Sequence, residues 1–317
     1  MQTGGAMATR PEVIVVYKRS KLALYVHEKR NPRVRQLLEE GAPIVETLQP
    51  AHEAHAATLA LVKSVLRTRG VPYRMCYRGR LRREDTEGRL VITVGGDGTL
   101  LDASHRIGEA PVLGVNSDPA HSVGFLCAAN SETFAPLLDG ILRGELAPLT
   151  VSRLVGAIDG APIPFPVLNE ILVAHKNPAA TVRYRIEARG RTEQHKSSGI
   201  WIAAPAGTTA AIASAGGSVQ PIDDDKWQLL VREPYLADGP AGSLHHLYLT
   251  PDEGLRVTSR MPEGVIYLDG PHVRLPFPLG TTLEVRGDAT PLSLYVTPHM
   301  IERRARLRHR RLDGQSP

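Results

Sequence analysis

The residues with the clearest capacity for chemistry are Gly95-Gly96-Asp97-Gly98-Thr99, set between the apolar run Leu90-Val91-Ile92-Thr93-Val94 and a helical pattern beginning at Leu100. Glycines at 95, 96 and 98 remove Cβ atoms from the turn, so the backbone can take positive φ and approach a ligand closely. The N–H groups of such a turn, with a helix N-terminus behind it, attract anions. A carboxylate is out of place there unless Asp97 works beside phosphates, taking a hydroxyl's proton or touching a metal. The plain alternative is a tight strand-to-helix turn with Asp97 as its cap.

Further segments have chemistry of their own. In Asn169-Glu170 the amide offers a donor and an acceptor, and the carboxylate accepts from hydroxyls or an amine. Structurally, a polar pair at a strand start can simply close a turn. Residues 203–217 are crowded with Ala, Gly, Ser and Thr, which allows close packing or close ligand approach. The hydroxyls of Thr208, Thr209 and Ser214 suit a ribose or a phosphate, and residues 209–215 read as helical. Asp269, in Tyr-Leu-Asp-Gly, is either a turn aspartate or a member of the site.

The order of these motifs resembles the NAD kinase family. Gly-Gly-Asp-Gly-Thr is shared with lipid kinases of the diacylglycerol and sphingosine type, so the other segments decide. Leu113-Gly114-Val115-Asn116 leading to Gly124-Phe125-Leu126, then Leu168-Asn169-Glu170-Ile171, then Ser198-Gly199 through Ala206-Gly207-Thr208-Thr209-Ala210 to Ser214-Ala215-Gly216-Gly217 follow that family's sequence of signatures. Val115-Asn116-Ser117-Asp118-Pro119 and Val231-Arg232-Glu233-Pro234 are most similar to plant NADH kinases and mitochondrial-type NAD kinases.

The resemblance implies phosphoryl transfer from ATP or polyphosphate to the 2′-hydroxyl of the adenosine ribose of NAD+ or NADH, with Mg2+ or another divalent cation. Asp97 would be the catalytic residue. Gly95, Gly96, Gly98, Thr99, Asn116, Phe125, Asn169, Glu170, Ser198, Thr208, Thr209, Ala210, Ser214 and Asp269 would bind substrates, and a homodimer or homotetramer is expected. The readings set against it are a lipid kinase and a non-catalytic dinucleotide-binding protein. After the turn, however, Leu100-Leu101-Asp102-Ala103 departs from the usual lipid-kinase continuation.

Two departures from most bacterial members bear on substrate choice. Ser198 stands where they carry Asp, near the nicotinamide end, and Ala211 where they carry Tyr. A carboxylate about 4 Å from a cationic nicotinamide is worth roughly 1 kcal/mol in water-like surroundings and about 4 at intermediate dielectric. With Ser in its place, that electrostatic preference for NAD+ over NADH is gone. Loss of the Tyr removes a stacking surface for adenine.

These residues need elements to hold them. Val13-Ile14-Val15-Val16, residues 90–94 and residues 111–115 read as buried parallel strands. Helical patterns run over 53–69, 100–107 and to Leu142 from a cap at Asn130 or Ser131. Beyond Pro148 the period changes to two, as in Val182-Arg183-Tyr184-Arg185-Ile186-Glu187-Ala188-Arg189. The expectation is an α/β domain with a mostly parallel sheet over 1–147, a mainly β substrate-binding domain over 148–292, and a tail, 293–317, that returns to the first.

Composition limits the alternatives. The chain has 317 residues, 42% of them hydrophobic, enough to bury a core in one or two domains. Its opening residues lack the basic and apolar regions of a secretory leader, and no apolar run spans a bilayer. Two cysteines, Cys76 and Cys127, read as reduced thiols of a cytoplasmic protein, with no metal site. The net charge of +5 suits a protein that handles polyanions. Much of that excess lies in residues 302–311, read as a solvated basic helix and not a nucleic-acid arm, because no aromatics interleave with the arginines.

Overall fold

The computed structural model describes residues 12–235 and 243–312, so the opening residues, whose lack of a leader was inferred above, lie outside it. The chain divides into two compact units at Pro148/Leu149. The first contains β1 (Val13–Tyr17), α1 (Pro32–Glu39), α2 (Leu48–Thr68), β2 (Tyr73–Tyr77), β3 (Leu90–Gly95), α3 (Asp97–Ser104), β4 (Val112–Asn116) and α4 (Phe134–Leu142). The four strands are parallel in the order β2-β1-β3-β4. β3 and β4 are buried throughout, which is why they read as unbroken apolar runs. α2 buries Val62 and Leu66 from the apolar stripe legible in the sequence, and it begins five residues earlier than that stripe suggested. β2 is not among the strands read from the sequence: Tyr73-Arg74-Met75-Cys76-Tyr77 is only partly buried, as befits an edge strand, and shows no apolar run.

Strand order reverses between β1 and β3, since β2 lies beyond one and β4 beyond the other. In open parallel sheets, ligands bind in the crevice outside the carboxyl ends of the strands at such a reversal. Lys18 and Gly95-Gly96-Asp97 leave the sheet at that point.

The second unit contains β5 (Leu149–Val151), β6 (Val155–Ile158), β7 (Ala161–Pro162), β8 (Glu170–His175), β9 (Val182–Ala188), β10 (Arg191–Ser197), β11 (Gly199–Ala203), α5 (Ala211–Ser214), β12 (Trp227–Arg232), β13 (His246–Leu249), β14 (Leu255–Ser259), β15 (Gly264–Leu268), β16 (Val273–Pro276), β17 (Thr282–Arg286), β18 (Leu292–Leu294) and α6 (Pro298–Leu312). Two antiparallel sheets, β10-β9-β14-β17-β6-β7 and β13-β12-β11-β8-β15-β16, enclose one apolar core that includes Tyr184, Ile186, Ile171, Ile200, Trp227 and Phe277. β9 buries Val182, Tyr184, Ile186 and Ala188 on one face, as its alternation requires. The outward residues of the second sheet run Trp201↔Leu172↔Tyr267 across β11, β8 and β15, all partly exposed. Residues 209–215 are helical only over α5, because a 3-10 turn at Pro205–Thr209 takes up the preceding residues.

Candidate functional site

In the first unit the glycine turn is shaped by space and not by φ. None of Gly95, Gly96 and Gly98 adopts positive φ, contrary to the simplest expectation for such a turn. A Cβ on Gly95 would lie 2.1 Å from Thr99 Oγ1, and one on Gly96 2.8 Å from Ser122 Oγ. At Gly98 it would meet nothing within 4 Å, so the protein itself does not demand glycine there and the open space is available to a ligand. Thr99 is buried, and its Oγ1 has no hydrogen-bond partner.

Asp97 does not cap its helix. Gly96 is the N-cap, and the Asp97 carboxylate turns to the loop after β4, where Oδ2 accepts the Phe125 N–H and Oδ1 the Leu126 N–H, each at 2.8 Å. Cys127 Sγ approaches Oδ1 at 3.9 Å. These bonds fix the carboxylate plane and leave each oxygen a further lone pair. The loop is held by Asn116, whose Nδ2 donates to Ser122 O at 2.8 Å and whose Oδ1 accepts the Asp118 N–H at 3.2 Å. Gly124, at φ +61, packs on Asn116, where a Cβ would lie 2.6 Å from Nδ2. Asn116 thus shapes the loop, and Phe125 contributes its amide.

Cations flank this turn. Parallel register aligns Tyr77, Tyr17 and Val94, so the next residues, Arg78, Lys18 and Gly95, leave three neighbouring strands side by side. The Arg78 guanidinium donates to Gly98 O at 3.3 Å and pairs with Asp102. Lys18 is half-buried and forms no ion pair among the described residues. Burial lowers its pKa, and nearby Arg78 and Lys21 add to this against the pull of Asp118.

In the second unit Asn169 and Glu170 are both buried, and Asn169 Oδ1 and Glu170 Oε2 have no hydrogen-bond partner. Buried polar atoms are nearly always satisfied, so two orphans side by side mark a place for a ligand. Burial, helped by the nearby Asp269 charge, pushes the Glu170 pKa up to about 8. Glu170 is therefore mostly a neutral acid at pH 7, able to donate as well as accept, and not the carboxylate that the sequence suggested. Asp269, at φ +49, accepts the Asn169 N–H on Oδ1 at 2.6 Å and the Leu168 N–H on Oδ2 at 3.0 Å. Its role is to hold the pair's backbone.

Glu170 also lines a cavity of about 400 Å3, together with Leu172, Trp201, Ala211, Tyr267, Gly270 and Pro271. Trp201 was not singled out from the sequence. Its place between Ile200 and Ile202, the residues of β11 that face the sandwich core, was the available signal. Thr208 Oγ1 donates to Pro205 O at 2.8 Å and accepts the Gln220 N–H at 2.9 Å, so its hydroxyl is already engaged within the loop. Thr209 and Ala210 are half-buried, Ser214 is exposed, and Ser198 is half-buried with its N–H on Arg232 O at 3.0 Å.

Fold and site together describe an α/β unit with an anion-suited glycine turn, and a β-sandwich unit with a cavity lined by Glu170 and Trp201. Residues 13–146 match the ATP-NAD kinase N-terminal domain. The probable NADH kinase of Oryza sativa subsp. japonica is 34% identical over 294 residues, 86% of this chain and 87% of that protein. The NADH kinase of Arabidopsis thaliana is 35% identical over 309 residues, 87% and 91% of the two chains. The chain belongs to the NAD kinase family. Its fold is similar to that of an NAD kinase from Archaeoglobus fulgidus in complex with ATP (TM-score 0.67, 18% identity, 93% of this chain and 99% of that one). It is also similar to yeast NADH kinase complexed with NADH (TM-score 0.66, 17% identity, 94% and 87%). Nothing in these likenesses supports a lipid kinase or a non-catalytic dinucleotide-binding protein.

Proposed function

We propose that the chain is a phosphotransferase that moves the terminal phosphoryl group of ATP onto the adenosine-ribose 2′-hydroxyl of NAD+ and NADH, giving NADP(H). The observation that carries this is the Asp97 carboxylate, locked by the Phe125 and Leu126 amides inside a turn that is otherwise suited to anions. Asp97 accepts the hydroxyl proton as the 2′-oxygen forms its bond to phosphorus and the bond to the departing diphosphate breaks. Lys18 and Arg78, which leave the two strands on one side of that turn, counter the charge on the donor's phosphates. Asn169 and Glu170 hold the adenosine end, with the Glu170 acid donating to a ring nitrogen or ribose oxygen. Residues 1–147 carry Asp97, Lys18 and Arg78, and 148–292 carry Asn169 and Glu170.

A divalent cation would shield the donor. Among the described residues no three His, Cys, Asp or Glu side chains cluster to hold a metal. Ser198 itself brings no charge to a position where a carboxylate would favour a cationic ring, so NADH is accepted at least as well as NAD+. No helix among the described residues is long and apolar enough to cross a membrane, and neither cysteine is in a disulfide. A cytoplasmic homodimer or homotetramer fits this reading. The test is a coupled assay for NADP(H) with ATP or polyphosphate crossed against NAD+ or NADH. No product in any combination overturns the proposal.

A further inference from the structure

The C-terminal helix carries a guanidinium into the protein interior. Met300, Arg304 and Leu307 fall at helical spacing on the inward face of α6, and Arg304 is 4% exposed. Its Nε donates to Gln220 O at 2.5 Å, and one Nη donates to Thr208 Oγ1 at 2.9 Å, to Ala206 O at 3.3 Å and to Pro205 O. Burial lowers its pKa to about 10, with Asp223 pulling the other way, so it stays charged at neutral pH. A planar fork reaches both Gln220 and the 205–208 backbone; a lysine ammonium is a single point and cannot.

What the fork holds is the 3-10 turn Pro205–Thr209. Thr208 closes the same network from within, through Pro205 O and the Gln220 N–H. The turn in turn bears on Asn169: a Cβ on Gly207 would lie 2.2 Å from Asn169 O, and the Ala204 N–H donates to that oxygen at 2.9 Å. Any shift of the turn is therefore transmitted to Asn169 and its neighbour Glu170.

We infer that Arg304 is a positioning residue for dinucleotide binding: from the C-terminal helix it fixes the 205–209 turn and, through Gly207, the orphaned Asn169 and Glu170 side chains. The inference rests on reading that pair as the adenosine grip. It gives one arginine of the tail a task inside the protein.

The test uses the full chain with NADH as probe, its fluorescence reporting affinity without turnover. Arg304→Lys and Arg304→Ala are expected to weaken NADH binding by about tenfold or more while the KM for ATP stays near the wild-type value. Added guanidinium, at concentrations too low to denature, should restore part of the loss in Arg304→Ala and none in the wild type. Arg306→Ala, on the exposed face of α6, should change neither quantity. Should Arg304→Ala fail to fold, Arg304→Lys and Thr208→Val carry the same comparison. Unaltered NADH affinity in a folded Arg304 variant, or equal losses for NADH and ATP, overturns the inference. Failure of the kinase reading looks different: tight NADH binding by the wild type with no phosphate transferred.

Discussion

Asp97 begins α3, yet its carboxylate is bound by a residue 28 positions further on, with Oδ2 accepting the Phe125 amide N–H at 2.8 Å. The Leu126 amide holds the other oxygen at the same distance. The acid is thus aimed by the backbone of the loop after β4, and that loop is aimed by Asn116. This division of labour gives the Gly95-Gly96 turn and the loop from Asn116 to Leu126 a joint purpose: one leaves room, and the other sets direction.

Replacing Asp97 by Asn keeps one acceptor oxygen but turns an NH2 group toward a backbone N–H. We expect kcat to fall by about 10²–10⁴-fold, the usual contribution of a positioned general base. Stability should drop by about 1 kcal/mol, since one half-buried donor now faces another. Single-turnover rates and thermal melts separate the two effects. Near-normal kcat in the folded variant would remove Asp97 from the mechanism.

Glu170 predicts a pH dependence with a definite sign. Its pKa rises from 4.5 to about 8 on folding, so between those values the folded protein keeps a proton that the unfolded chain has released. Stability from this group therefore decreases as pH rises, by up to about 1.4 kcal/mol per pH unit. Below 4.5 both states are protonated and above about 8 both are ionised, so the slope vanishes at each end. Glu170→Gln should flatten the stability profile across that window. It should also abolish the rise in dinucleotide KM expected in the wild type as pH passes about 8, where the acid loses its donor. Chemical denaturation at several pH values, with matched kinetics, checks both; parallel profiles for the two proteins would refute the assignment.

Much of this site could be read from the sequence because local chemistry specified it. The glycine turn sits between a continuous apolar run and a helical period, and Asn169-Glu170 follows Pro166 at a strand start, so both announce themselves within a few residues. Asp269 acts on Leu168 and Asn169 from about a hundred positions away, and no local pattern forecasts such a partner. The protonation of Glu170 depends on burial, which a strand's outward position would not suggest. Arg304 was hidden in another way: in a run of arginines the expectation is solvent, and only its spacing from Met300 and Leu307 marks it as inward. The edge strand β2 was lost because exposure on an edge erases the apolar run that revealed its neighbours.

Ser198 supplies a test of substrate choice. Its N–H is bound to Arg232 O at 3.0 Å, and the Arg232 guanidinium lies 5.6 Å from the Trp201 ring centroid and 3.9 Å from the Glu233 carboxylate. Introducing a carboxylate by Ser198→Asp should shift the ratio of kcat/KM values toward NAD+ over NADH by about tenfold, the effect of roughly 1.4 kcal/mol between a carboxylate and a cationic ring. The shift should shrink in high salt. A wild-type enzyme that already strongly prefers NAD+ would contradict the reading of this position.

Trp201 offers the stacking surface that Ala211 does not. It lines the same cavity as Glu170, and Leu172, its neighbour across the sheet, separates it from Tyr267. Adjacent strands lie about 4.8 Å apart, so aromatic residues two strands apart stand roughly 10 Å from each other across an aliphatic floor, wide enough to admit a planar base. An aromatic contact of this kind contributes about 0.5–1.5 kcal/mol beyond area, which makes Trp201→Ala about two- to tenfold weaker in NADH affinity with little change in kcat. Only two tryptophans are present, and the other, Trp227, is 1% exposed in the sandwich core. Quenching of tryptophan emission by bound NADH should therefore diminish sharply in Trp201→Phe while binding persists. Undiminished quenching in that variant would place the base elsewhere.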